Sequence, residues 1–125
     1  MTYIISEIGI NHNGDIKLAK ELILKSKKSG CDAVKFQKRD IESVYTKEEL
    51  DTPRESPFGT TTREQKEGIE FSIEQYKELE KFSKEQGLEF IVSCWDTVSL
   101  DLVEEHLDVK YHKVASALAT DKTFL

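Results

Sequence analysis

The sequence has few of the features that mark secreted or membrane proteins. Its two cysteines, Cys31 and Cys94, lack the spacing of a metal site, so we expect reduced thiols in a reducing compartment. No apolar run approaches the roughly 20 residues that a membrane helix needs. The first residues also lack the basic and apolar segments of a signal peptide. These absences predict a cytoplasmic protein that does not contact a membrane.

Positive charge is also in short supply. The 125 residues contain 18 Lys and Arg against 24 Asp and Glu, which gives a formal net charge of −6. An acidic protein of this kind is repelled by nucleic acid and by anionic membrane surfaces. We therefore predict no nucleic acid partner. An anionic small molecule could bind only where a few lysines or arginines are concentrated at one site.

The sequence does contain an alternation of short apolar runs with amphipathic, charge-rich stretches. The predicted strands are 3–7, 33–37, 89–93 and 111–115, and the predicted helices are 16–29, 72–86 and a short one after 96. Repeated β-α units form a parallel sheet. Since a complete (β/α)8 barrel needs roughly 250 residues, we predict that 1–125 is an α/β domain, the N-terminal half of a TIM-type (β/α)8 barrel. A small open sheet is the alternative.

A long polar stretch from about 38 to 71 interrupts this rhythm. It contains Pro53, Pro57 and Gly59, and only a short helix is predicted within it, at 47–50. A connection of this length inside a compact domain is usually functional. We predict a long loop that lies over the site.

Polar residues collect at the ends of the predicted strands, where parallel sheets bind their ligands. Those ends carry, in chain order, Glu7, Lys35, Gln37, Ser93, Lys113 and Ser116. Because alternate residues share a face, Lys35 and Lys113 should both point into the barrel, which calls for an anion between them. The spacing indicates an anion-binding α/β enzyme. The alternative is that the two lysines pair with Glu7 and Asp96 and only hold the strands together.

Four segments carry a more specific signal. They are Glu-Ile-Gly-Ile-Asn-His-Asn-Gly-Asp at 7–15, Asp-Ala-Val-Lys-Phe-Gln-Lys at 32–38, Phe-Gly-Thr-Thr at 58–61 with Ile-Glu-Phe-Ser at 69–72, and Lys-Val-Ala-Ser at 113–116. Each resembles a motif of the N-acetylneuraminate (sialic acid) synthase family, and together they occur in the family's order. The resemblance covers nearly all of the chain.

The resemblance implies an enzyme that condenses phosphoenolpyruvate with N-acetylmannosamine or a related amino sugar, forming a nine-carbon keto sugar acid and phosphate. By resemblance, Lys35, Lys113 and Ser116 hold the phosphate or carboxylate of phosphoenolpyruvate. Glu7 is then the catalytic residue, which orients the sugar or moves a proton, and Gln37 is a hydrogen-bonding neighbour. Ser93, at the end of the third strand, completes the predicted substrate-binding set.

The family also implies parts that this chain does not supply. Its divalent metal, manganese or magnesium, is bound by histidines of later barrel strands, and a C-terminal antifreeze-like domain closes over a partner's site in a homodimer. We expect no metal ligands in 1–125, because His12, His106 and His112 have no ligand spacing. Parity predicts that His112 faces away from the barrel interior.

The sequence departs from the family pattern at two strand ends. Cys94 stands where relatives often have threonine, and Ala115-Ser116-Ala117-Leu118 replaces a common Gly-Ser-Gly-acid. The missing acid suggests a different sugar, so synthases of legionaminic or pseudaminic acid and spore-coat relatives fit as well. Trp95 is predicted to pack beneath a loop, with stacking on a sugar as the alternative.

Two other functions remain open from the sequence. One is a non-catalytic half-barrel that binds a phosphate-bearing ligand or associates with itself through its open edges. The other is an aldolase-type barrel with Schiff-base chemistry at Lys113, since barrels host many chemistries.

Overall fold

The computed structural model describes residues 1–125 as a four-stranded sheet with helices and a separate hairpin. The strands are β1 (Ile5–Gly9), β2 (Ala33–Lys38), β3 (Pro53–Ser56), β4 (Gly59–Thr61), β5 (Glu89–Cys94) and β6 (His112–Val114). The helices are α1 (Ile16–Lys28), α2 (Ile41–Val44), α3 (Lys47–Asp51), α4 (Thr62–Ile69), α5 (Ile73–Glu85) and α6 (Thr97–His106), and a 3-10 turn at Ser116–Leu118 follows β6. None of the helices is both long and apolar enough to span a bilayer.

The main sheet is parallel throughout. Its strand order is β1-β2-β5-β6, and helices α1, α5 and α6 lie in the crossovers between these strands or pack beside them. This arrangement confirms the prediction of an α/β fold with four parallel strands. The strand ends that carry the predicted site residues therefore lie along one edge of the sheet.

Side-chain caps set the limits of the two longest helices. Asp15 accepts hydrogen bonds from the N–H groups of Lys17 and Leu18 at the start of α1. Ser72 and Gln75 form a reciprocal capping box at the start of α5. These caps occur where the sequence predicted the helices to begin, so the local signals and the tertiary packing agree.

One face of the sheet packs on these helices to form the core. Val34, Phe36, Phe90 and Val92 alternate along β2 and β5 and are at most 1% exposed. Alternation of this kind confirms that the apolar face meets the helices. The polar residues between them consequently lie on the opposite face.

That opposite face is open. Tyr3, Ile5 and Tyr111 are each between 45% and 48% exposed and line a shallow cavity of about 330 Å³, together with Ile91 and Lys35. An apolar patch left exposed on a parallel sheet is unusual, because parallel sheets are normally covered on both faces. The face has the composition of the inside of a barrel.

The segment from 38 to 71 corrects the prediction of a long loop. It contains the three short helices α2, α3 and α4 and the β3–β4 hairpin. The short helix predicted at 47–50 is present as α3. Thr46 and Glu49 form a capping box, Thr61 caps α4, and Leu50 is fully buried beneath them. Such short elements are held by side-chain caps and carry too few apolar residues to show periodicity, which is why the sequence indicated a loop.

Candidate functional site

The open face brings most of the predicted site residues together in two rows. In the first row, Glu7 of β1 is in register with Lys35 of β2. In the second row, two residues further along the strands, Gln37 of β2 is in register with Ser93 of β5. Ser93 is in register with Lys113 of β6. Since neighbouring strands lie about 4.8 Å apart, these side chains form one polar surface at the carboxyl edge of the sheet.

The two lysines of this surface have different surroundings. Lys35 forms an ion pair with Glu7, and the side chains are 14% and 46% exposed. Lys113 forms no ion pair, and Asp96 lies on the helix side, where its carboxylate accepts from the N–H groups of Asp40 and Ser99. The interpretation as strand-holding ion pairs therefore applies to Lys35 alone, and Lys113 remains a cation available to a ligand.

A glycine brings Glu7 and Gln37 side by side. The backbone at Gly9 has φ 57, in the left-handed region, and the register of β1 with β2 shifts there. A Cβ atom at Gly9 would lie 3.0 Å from Oε1 of Glu7 and 3.5 Å from Nε2 of Gln37. The absence of a side chain therefore lets the carboxylate and the amide approach each other.

The two serines of the predicted set have different exposure. Ser93 is 2% exposed, and its hydroxyl donates to the backbone oxygen of Lys113 at 3.3 Å. Ser116 is exposed at the start of the 3-10 turn that follows β6. Ser93 therefore positions the strand that carries Lys113, whereas the hydroxyl of Ser116 is open to a ligand.

Arg39 and Trp95 extend the same face beyond the predicted residues. The guanidinium of Arg39 lies 4.2 Å from the centre of the Trp95 ring, and its Nη2 donates to Oε1 of Gln37 at 2.9 Å. We did not predict Arg39, although strand parity from Lys35 through Gln37 leads directly to it. The Trp95 ring stacks on this guanidinium at the edge of the site. The prediction that Trp95 packs beneath a loop did not include this contact.

The helix side of the same edge holds a buried ionisable cluster. Lys38 Nζ lies 3.6 Å from Oε1 of Glu70, and the Tyr76 hydroxyl, which donates to the backbone oxygen of Gln37 at 2.5 Å, lies 3.3 Å from the same Oε1. Burial raises the pKa of Glu70 to about 7, and the Lys38 ammonium opposes this shift without cancelling it. Glu70 can therefore gain or lose a proton near neutral pH.

Glu70→Gln is expected to change the pH dependence of stability. Because the fold raises the pKa of Glu70, the folded state binds a proton more tightly than the unfolded state, and the wild type loses stability as the pH rises from about 4.5 to about 7. Glutamine does not ionise. The free energy of unfolding of the variant relative to wild type should thus increase by about 2–3 kcal/mol between about pH 5 and pH 8, measured by urea denaturation.

Glu78→Gln is the matched control for this measurement. Glu78 is a half-exposed carboxylate paired with Lys20 on the surface, so its replacement should change stability by similar amounts at both pH values. A pH-independent difference between Glu70→Gln and wild type would contradict the buried, proton-binding carboxyl.

The histidines and Cys94 do not join the polar surface. His12 is 1% exposed and stacks 4.1 Å from Phe71, and its Nδ1 accepts from the N–H of Gly14. Burial lowers the pKa of His12 to about 4, which keeps the ring neutral. Cys94 lies in the core, where burial raises the pKa of its thiol to about 12.

The residues of this chain do not fit a metal site. No three histidine, cysteine or carboxylate side chains come together. His112 contacts Glu104 of α6, away from the open face as parity predicted, and His106 lies near Glu105.

Comparison with known proteins identifies the family. The model of the NeuB family matches residues 22–125. An N-acetylneuraminate-9-phosphate synthase of Mus musculus is 40% identical over 116 residues, which cover 91% of this chain and 32% of that protein. An N,N'-diacetyllegionaminic acid synthase of Legionella pneumophila is 36% identical over 126 residues, which cover 98% of this chain and 35% of that protein.

A solved structure is similar over the same region. The sialic acid synthetase of Leptospira borgpetersenii, crystallised with citrate, superposes with a TM-score of 0.70 at 24% identity, covering 93% of this chain and 36% of that one. At this identity the likeness shows the fold, and the chain spans about a third of the length of the relatives it matches. The matched family model and these relatives together show that the chain belongs to the NeuB family.

Proposed function

We propose that the protein containing this chain condenses phosphoenolpyruvate with N-acetylmannosamine or a related amino sugar, releasing phosphate and forming a nine-carbon keto sugar acid. The names of the relatives, which include synthases of N-acetylneuraminate-9-phosphate and of diacetyllegionaminic acid, support this class of reaction. They also leave open whether the acceptor is a phosphorylated or a free amino sugar.

Lys113 is the observation on which the proposal depends most. It lies on the open face with no acidic partner, two strands from Lys35, and both lysines line the same shallow cavity. An unpaired ammonium at the ligand edge of a parallel sheet is suited to an anion such as a phosphate or a carboxylate. Phosphoenolpyruvate carries both groups, so we assign Lys113, Lys35 and Ser116 to its binding.

In the proposed reaction, Glu7 and the lysines of the open face act on phosphoenolpyruvate and the sugar. The enol carbon of phosphoenolpyruvate attacks the aldehyde carbon of the sugar, and the aldehyde oxygen takes up a proton. Water adds to the carbon that bears the phosphate, phosphate leaves, and that carbon becomes the ketone. Fixed cations stabilise the charge that develops on the oxygens. Glu7 is the carboxylate on this surface that can orient the sugar or move a proton. Lys35 neutralises Glu7 in the free protein, so ligand binding requires the two to share or exchange partners.

We also propose that the complete protein binds a divalent metal and forms a homodimer. Manganese or magnesium would supply Lewis-acid activation of the aldehyde, and we expect its ligands to come from outside 1–125. A homodimer would place a partner's domain over the open edge of the site.

The complete gene product tests the function directly. Phosphoenolpyruvate is incubated with N-acetylmannosamine, with its phosphate ester or with diacetylated amino sugars, with and without a divalent metal, and phosphate and keto acid are measured. We expect release of phosphate that depends on one of the sugars and equals the keto acid formed. Phosphate release that is absent, or that does not depend on a sugar, would rule the proposal out.

The open face also supports a second candidate, a non-catalytic module that binds itself. Tyr3, Ile5 and Tyr111 form an exposed apolar surface on this face, and such surfaces promote association. Light scattering of the complete gene product tests self-association, which a monomer would exclude. Sugar-dependent release of phosphate distinguishes the two candidates, because the proposed synthase is itself expected to form a homodimer. Borohydride trapping with substrate would test the Schiff-base alternative at Lys113.

A further inference from the structure

The Gln37 amide has a defined orientation. The oxygen and nitrogen of a glutamine amide are distinguished by their partners, and the partner here is Nη2 of Arg39, 2.9 Å from Oε1. Arginine has donors and no acceptor, so the oxygen must face Arg39. The NH2 group then lies at the other end of the amide, beside Gly9.

Trp95 and the backbone fix Arg39 in turn. The guanidinium stacks 4.2 Å from the centre of the indole ring, and a planar cation is well held on an aromatic face. The N–H of Arg39 donates to Oε1 of Glu70 at 3.3 Å, and the N–H of Trp95 donates to the oxygen of Lys38 at 3.0 Å. Both residues are therefore held at main chain and side chain.

Arg39 does not serve as a structural ion-pair partner. No carboxylate side chain forms a salt bridge with its guanidinium, whereas Arg63, on α4, pairs with Glu42 and Asp51. Nε of Arg39 and Nε1 of Trp95 are also buried without acceptors. Both nitrogens are inaccessible, so the donor that this corner of the site can offer to an oxygen atom of a ligand is the NH2 group of Gln37.

We propose that Arg39, held by Trp95, is a positioning residue that turns the NH2 group of Gln37 toward the acceptor sugar. The site then offers hydrogen-bond donors at this point and selects a sugar with an acceptor oxygen there, a hydroxyl or an amide carbonyl. This inference rests on the proposed function for the identity of the ligand. The orientation of the amide does not depend on it.

The kinetic test uses the complete gene product with Arg39→Met, Gln37→Leu and the double variant. Loss of one oriented hydrogen bond is expected to raise KM for the sugar roughly three- to tenfold in Arg39→Met, with KM for phosphoenolpyruvate unchanged. Because Arg39 acts through Gln37, adding Arg39→Met to Gln37→Leu should have little further effect. Additive effects of the two changes, or an equal rise in both KM values, would overturn the proposal.

Two comparisons separate positioning from folding. Arg63→Met removes an arginine with two acidic neighbours outside the open face and should leave both KM values unchanged. Arg39→Lys retains a cation without the planar fork of donors. Its KM for the sugar should therefore lie between that of wild type and that of Arg39→Met. If Arg63→Met raises the sugar KM as much as Arg39→Met does, the effect is general and the proposal is wrong.

Neutron diffraction structures of wild type and of Arg39→Met, in which the amide deuterons are visible, decide the orientation independently of turnover. We expect Oε1 of Gln37 on Nη2 of Arg39 in the wild type and a rotated or multiply oriented amide in the variant. An amide that is unchanged in the variant overturns the inference. Absence of sugar-dependent turnover in the wild type overturns the proposed function and the sugar assignment, while the structures still decide what Arg39 does to Gln37.

Discussion

Replacing either lysine of the open face, as Lys35→Met or Lys113→Met, is expected to lower kcat of the complete gene product by about 100- to 1,000-fold. In the proposed reaction each change removes a fixed cation from the place where charge would develop during the attack on the aldehyde, and the loss of one such group typically costs this much. Lys113 has no acidic partner to rearrange, so its effect reports ligand binding most directly. Steady-state phosphate release measures the change.

Lys110→Met provides the control for both variants. Lys110 is exposed, and its ammonium lies 5.5 Å from the ring centre of Tyr111, so its replacement should leave kcat within about twofold because exposed charges contribute little. Isothermal titration with phosphoenolpyruvate should show weaker binding for Lys113→Met than for wild type, and unchanged binding for Lys110→Met. A Lys113→Met protein with wild-type turnover would remove Lys113 from the site.

Phe36→Ala is expected to have the largest effect on stability, a loss of about 3–5 kcal/mol in the free energy of unfolding. The ring is fully buried between the sheet and the helices, with its centre 5.3 Å from that of Phe90 and 5.8 Å from that of His12. Truncation leaves a cavity among rings that are fixed by their own packing. Domains have only about 5–15 kcal/mol of stability in total, so much of the variant should be unfolded at physiological temperature.

Urea denaturation followed by circular dichroism measures this loss, and Leu24→Ala is the comparison. Leu24 is on α1 and is 46% exposed, so its truncation removes little buried surface and should cost less than about 1 kcal/mol. Similar losses in the two variants would contradict the placement of Phe36 in the core.

Strand parity accounts for the part of the site that the sequence predicted. Alternation along β2 placed Phe36 in the core and Lys35 and Gln37 on the opposite face, and the structure has them there. Parity predicts these positions because successive side chains of a strand point to opposite faces of the sheet, so each residue faces either the core or the open side. It could not decide whether Lys35 pairs with Glu7, because that depends on the register between two strands.

The contacts that the sequence missed lie between segments that are far apart in the chain. Arg39 meets Trp95 only because β2 and β5 are neighbours, and neither residue carries a local signal for the other. The segment from 38 to 71 was difficult for a different reason. Its elements are too short for periodicity and depend on caps such as Thr46 with Glu49, which resemble ordinary polar loop sequence.

The alternation along β2 separates two kinds of evolutionary constraint on adjacent residues. Substitutions at Val34 and Phe36 act on how much folded protein a cell retains, whereas under the proposed function substitutions at Gln37 and Arg39 would act on which acceptor is bound. On that proposal, a lineage could move to a new sugar through the second pair while the first pair stays fixed. Laboratory evolution aimed at a different acceptor should begin with Gln37, Arg39 and Trp95, whose side chains meet on the face opposite the core.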